Sequence, residues 1–210
     1  MDPCQLCETR KPRRYCLAVH GEICTQCCGE DRENTLDCPF DCEFLIESRR
    51  HDKPVPVAEA DFPSPEIELT DEFMYDMEPV IQYILAQTLE AALATPGSVD
   101  GDVREAYEAL VKTYKTMQSG LIYETRPANP YADSIQQRIR ASIEDFKRRV
   151  HEAQGMHTIR DSEILGCLVF AQRLSLGYNN GRRRGKAFLH TLVNARVQAE
   201  AAQQNQPAAE

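Results

Sequence analysis

From Thr70 onward, apolar side chains recur at intervals of three and four residues, the period that lays one stripe along an α-helix. Phe73, Met77, Val80, Ile81, Ile84, Leu85, Leu89, Ala92 and Leu93 define a first helix over about 70–95, with Asp71 and Glu72 in its opening turn, where the dipole favours acids. Pro79 predicts a kink or restart, and Pro96-Gly97 an end. The same period predicts helices over about 102–119, 132–154, 161–177 and 186–203, with Gly120 and Gly155 closing the second and third. The stretch 161–177 is the most apolar and is expected to cross the middle of the bundle, with Cys167 a buried core thiol. No strand pattern competes here. Residues 70–202 are therefore predicted to form an all-α bundle of about five helices, and 203–210 a disordered tail.

Upstream the pattern breaks. Residues 52–69 hold Pro54, Pro56, Pro63 and Pro65 among acidic and small residues, which predicts an extended, semi-rigid connector. Residues 1–51 offer few apolar side chains besides cysteine, too few to fold by burial alone. Eight of the nine cysteines fall in this segment, spaced C-x2-C-x8-C-x7-C-x2-C-C-x9-C-x3-C. Thiolates two or three residues apart reach one tetrahedral ion from a single turn. Disulfides would need an oxidising compartment, and the opening Met1-Asp2-Pro3-Cys4 has neither the basic start nor the apolar stretch of a signal peptide. The expectation is a cytoplasmic protein with metal-bound thiols. No apolar run reaches the roughly 20 residues of a membrane span, so no membrane partner is expected.

Eight thiolates divide into two closed sites, and zinc suits them better than an iron–sulfur cluster. A cross-brace division gives Cys4, Cys7, Cys24 and Cys27 to one ion, and Cys16, Cys28, Cys38 and Cys42 to a second. His20 is either a substitute for Cys28 or an exposed loop residue before Gly21. One structural zinc stabilises such a segment by about 10–16 kcal/mol near neutral pH. The stretch Cys38–Ile46 predicts a knuckle opening a short helix with Pro39 in its first position. Phe40, Phe44 and Ile46 are then placed to cover the sulfurs or dock on the bundle. Over residues 4–42 the interleaved pattern resembles RING, B-box and related treble-clef fingers, although the paired histidines that end a B-box are missing. As a whole the chain resembles bacterial-type proteins that carry a C-x2-C…C-C-G…C-P-x-D-C finger before a helical domain. That resemblance implies a fold and supplies no activity.

Charge changes the picture of partners. Of the net −9, residues 54–124 carry −11 and residues 125–210 carry +5. A chain this acidic is a poor general nucleic-acid binder. Its basic third contains Tyr178, Arg182, Arg183, Arg184 and Lys186 between glycines, directly before a helix. This loop is expected to pair with the acidic middle segment; alternatively it contacts a phosphate ligand or nucleic acid. Catalytic motifs are missing: no H-E-x-x-H, no Walker lysine, no nucleophile elbow, and no Glu three residues before His151, His157 or His190. The leading expectation is a zinc-binding, non-enzymatic adaptor that engages a protein partner. The alternatives are a nucleic-acid- or phosphate-binding regulator and a thiol/zinc redox sensor.

Overall fold

A computed structural model describes residues 2–52, 56–58, 61–155 and 159–204. The protein is mainly helical. A two-stranded antiparallel hairpin, β1 (Arg14–Cys16) and β2 (Gly21–Ile23), pairs Arg14 with Ile23 and Cys16 with Gly21. Helices α1 (Thr25–Asp31) and α2 (Glu43–Arg49) complete the cysteine-rich segment. Then follow α3 (Asp71–Asp76), α4 (Glu78–Leu93), α5 (Asp100–Gln118), α6 (Pro130–Gln154), α7 (Asp161–Gly177) and α8 (Ala187–Gln204). No described helix is long and apolar enough to cross a membrane.

The predicted first helix is two helices. The chain breaks at Met77, which leaves the helical conformation (φ −96, ψ 5), and restarts with Pro79 in the first turn of α4. Four helices, α3, α5, α6 and α7, start from local chemistry. Thr70 Oγ1 accepts the Phe73 N–H at the head of α3, Asn129 Oδ1 accepts that of Tyr131, and Asp102 and Glu163 reach back to the N–H groups of Val99 and Arg160. Gly120 and Gly155 follow α5 and α6 with φ of 77° and 72°, a conformation that costs other residues a steric clash.

α5 lies centrally, packed most extensively on α7 and α6, while α4 covers α6, α7 and α8. Tyr107, Tyr114, Phe188, Ile135, Ile139 and Leu168 are fully buried between them. Tyr107 satisfies its hydroxyl on Thr88 Oγ1 at 2.7 Å and meets Phe188 edge-on. Gly166 on α7 leaves room for Phe73, whose ring a Cβ there would meet at 2.5 Å. Cys167 is a fully buried core thiol, pushed by burial up to about 12.

The connector is held down where it is described. Arg173 of α7 donates to the carbonyls of Pro63, Ser64 and Ile67 at 3.2, 2.7 and 3.0 Å. Lys115 of α5 reaches Ser64 Oγ and Glu66, and Ile67 and Leu69 pack on the bundle core. Pro54 lies outside the described residues, as does the tail from 205; Gln203 and Gln204 still belong to α8.

Candidate metal centre

The first cysteine pair sits on a tight turn. The Cys4 N–H donates to Arg10 O at 2.9 Å, the Glu8 N–H donates to Cys4 O at 2.7 Å, and Glu8 takes a left-handed φ of 54°. Gln5 N–H binds Glu22 O at 3.1 Å and ties this turn to β2. β2 delivers Cys24, whose N–H donates to Cys4 Sγ at 3.2 Å and whose own Sγ accepts the Cys27 N–H at 3.4 Å as the cap of α1. Cys27 lies one helical turn further on. The four Sγ atoms of Cys4, Cys7, Cys24 and Cys27 consequently all lie within 4.8 Å of one another.

Four thiolates about 2.3 Å from one tetrahedral ion stand roughly 3.8 Å from each other, so this set fits a metal with small adjustments. All nine cysteines are free thiols. Cys4, Cys24 and Cys27 are buried, and Cys7 is half-buried. Hydrogen bonds from the Thr9 side chain and from the backbone of Thr9 and Arg10 pull the Cys7 thiol down to about 5, so it is a thiolate at neutral pH. Burial pushes Cys27 up to about 12, with Cys24, Cys7 and Cys4 adding to the rise. Burial also raises Cys4, but the backbone N–H groups of Cys7, Cys24 and Leu6 outweigh it and leave that thiol low. Arg10 stands beside the cluster; burial opposes its charge, and Cys24, Cys7 and Cys27 more than restore it. That cation offsets the excess negative charge that four thiolates leave around a divalent ion.

The second predicted set is not gathered in the same way: among the described residues, only Cys4, Cys7, Cys24 and Cys27 bring their sulfurs within 4.8 Å of one another. Cys16 ends β1, Cys28 follows Cys27 on α1, Cys38 precedes Pro39, and Cys42 is the N-cap residue of α2. The predicted helix therefore starts four residues after Pro39, which sits in the turn closed by the Cys42 N–H to Pro39 O contact. Cys28 Sγ accepts from Arg14 Nη1 at 3.3 Å and Arg32 Nη2 at 3.5 Å. Burial, then Cys42 and Cys16 nearby, raise the Cys38 thiol, against a hydrogen bond from the Glu33 backbone. His20 is exposed in the hairpin turn with φ 51°. Phe44 packs under the Arg14 guanidinium at 4.4 Å, whereas Phe40 packs on the bundle core.

The side chains of Arg182, Arg184 and Lys186 pair with the cysteine-rich segment rather than with the acidic middle of the chain, which meets the loop through the Asp100 N–H to Gly185 O contact at 2.9 Å. Glu33, 1 % exposed and at φ 52°, accepts from Arg49 at 2.5 Å, from Asn180 Nδ2 at 2.9 Å and from the Lys186 N–H at 2.8 Å. Its carbonyl accepts the Arg184 N–H at 2.7 Å. Asp37 pairs with Lys186 at 2.6 Å and Arg184 at 3.2 Å, which carry its carboxyl below the usual range against the effect of burial. Arg182 Nη1 donates to Arg32 O at 2.6 Å. Arg183 is exposed, and Tyr178 is partly so. Sequence reasoning missed Glu33 and Asp37, and read Arg49 only as a cation at a helix C-terminus, because each acts on a residue more than a hundred positions away or through a buried contact that no local pattern marks. It equally missed Asp100, whose carboxylate accepts the N–H groups of Phe188 and Leu189 and so caps α8 from another helix. Among the histidines weighed as ligands, His157 lies outside the described residues.

The chain matches no protein-family model, no curated protein and no solved structure. The geometry defines a mainly helical protein whose N-terminal segment gathers four cysteines close enough to bind a metal ion.

Proposed function

We propose that Cys4, Cys7, Cys24 and Cys27 hold a structural zinc ion, that Cys16, Cys28, Cys38 and Cys42 hold a second, and that the protein is a non-catalytic adaptor for a protein partner. The observation that carries the zinc reading is the four-sulfur cluster itself. An all-cysteine set leaves no open position for substrate, and thiolate-rich tetrahedral sites of this composition suit zinc. The order of knuckle, hairpin and helix is similar to a treble-clef finger. For the second ion, Arg14 and Arg32 stand where they offset thiolate charge at Cys28.

A protein partner is supported by the link between α5 and α6. Leu121, Ile122 and Tyr123 are 63 %, 101 % and 67 % exposed there, three consecutive apolar side chains held in water. Nucleic-acid binding through residues 178–186 is supported less, since Arg182, Arg184 and Lys186 are already spent on the cysteine-rich segment. Affinity capture with the full, zinc-replete chain tests the assignment. A protein retained in stoichiometric amount by the wild type and lost from Ile122→Asp, with zinc content unchanged, is the expected result. Equal retention by both chains overturns the surface, and turnover of a substrate by the zinc-replete protein overturns the non-catalytic reading.

A further inference from the structure

Helix α2 faces the α7–α8 turn across a cleft of about 400 Å³. That volume lies in the range of small-molecule sites. Arg49 and Arg50 come from the cysteine-rich side, His190 and Asn194 from α8, and Tyr178 and Asn179 from the turn between the helices. Asp52 is the one carboxylate among the described lining residues. The wall therefore carries two guanidinium groups, and an imidazole that burial and Arg49 shift toward its neutral form, together with several hydrogen-bond donors.

Two features of this wall are unexplained by the fold. The Arg49 side chain is 9 % exposed and spends its terminal nitrogens on Glu33 and on the Lys186 carbonyl, yet its buried Nε has no hydrogen-bond partner. That nitrogen is closed off from solvent, so it is a polar group that the fold leaves unpaired within the wall, while the Arg49 guanidinium still lends the cleft its charge. Tyr178 leans on Phe188 with ring centroids 6.3 Å apart and remains 41 % exposed, leaving ring surface for a flat group. The α8 N-terminus adds little to either, because Asp100 and Glu33 already take its first N–H groups.

We propose that this cleft binds a small molecule that carries both a phosphate and an aromatic ring, of the size of one nucleotide. The phosphate lies against Arg50, in exchange for its exposed 2.8 Å pair with Glu47, and against His190, with the charge of Arg49 behind them, and the ring lies on Tyr178. Asp52 is the acceptor for a hydroxyl or amine at the rim. The site goes beyond the adaptor reading and differs from Arg182, Arg184 and Lys186, which bind the cysteine-rich segment.

Calorimetric titration of the full, zinc-replete chain with each of the four nucleoside monophosphates, with inorganic phosphate and with adenosine tests the assignment. At least one monophosphate should bind saturably with Kd at or below about 1 mM, and phosphate or adenosine alone at least about tenfold more weakly. Arg50→Glu should weaken that binding at least about tenfold, and Tyr178→Ala should weaken the nucleotide while leaving phosphate unchanged. Arg50 is well exposed and Tyr178 partly so, and zinc content measured on each variant keeps a lost metal site apart from a lost ligand site. Absence of saturable binding overturns the proposal, as does binding that neither substitution diminishes. Phosphate alone binding as tightly as the nucleotide overturns the ring contact.

Discussion

Asp100 shows how one carboxylate can join two helices and register pH. Burial raises it to about 6, against the opposing pull of the Phe188 and Leu189 N–H groups and of Arg104 and Arg49. Unfolding returns it to 3.8, so between these values the folded chain holds the proton more tightly. The cost of burying the charge is complete above about pH 6 and is relieved as pH falls toward 4, by on the order of 3 kcal/mol. In urea denaturation at a series of pH values, wild-type stability minus that of Asp100→Asn should therefore rise as pH is lowered from 7.5 to 4.5. A difference that stays flat contradicts this. Legibility at this scale depends on where the partner lies in the chain. Cys4 and Cys7, or Cys24 and Cys27, announce themselves because both members of a pair fall within one turn. Asp100 and Glu33 do not, because their partners lie 88 and 153 residues away and no sequence pattern records that pairing.

At the scale of elements, the apolar period placed the long helices well, because α5 and α6 each bury one stripe, and α7, buried on all sides from Ile164 to Val169, was marked by its apolar content. The period alone runs through Met77, where α3 stops, although Pro79 announced the restart of α4; the short helix expected to open with Pro39 in its first position instead starts at Glu43 with Cys42 as its cap. The hairpin was invisible because its strands have three residues each, too short for an alternation to show. Proline content predicted an extended connector and said nothing of its anchorage, which depends on Arg173 from α7. Arg173→Ala removes the donors to three carbonyls and is expected to cost about 1–3 kcal/mol. Limited proteolysis should then cut near residues 61–67 faster than in the wild type. Unchanged stability together with unchanged cleavage would show that the strap holds without it.

At the scale of the molecule, two apolar clusters stand side by side, one around the cysteines and one in the bundle. Glu33, Asp37 and Arg49 latch the first to the 180–186 turn of the second, so the shape of the cysteine-rich segment is transmitted to the head of α8. A buried Glu–Arg pair is costly to break on one side, which makes this latch sensitive to anything that unfolds residues 24–42. Sulfur–metal bonds are what we assign to keep those residues folded. X-ray absorption at the zinc edge, on zinc-replete protein of measured metal content, tests that assignment most directly. The expected spectrum shows a first shell of four sulfurs at about 2.3 Å, with about two ions per chain. A shell dominated by nitrogen and oxygen, or a metal-free folded chain with these cysteines joined through S–S bonds, contradicts it.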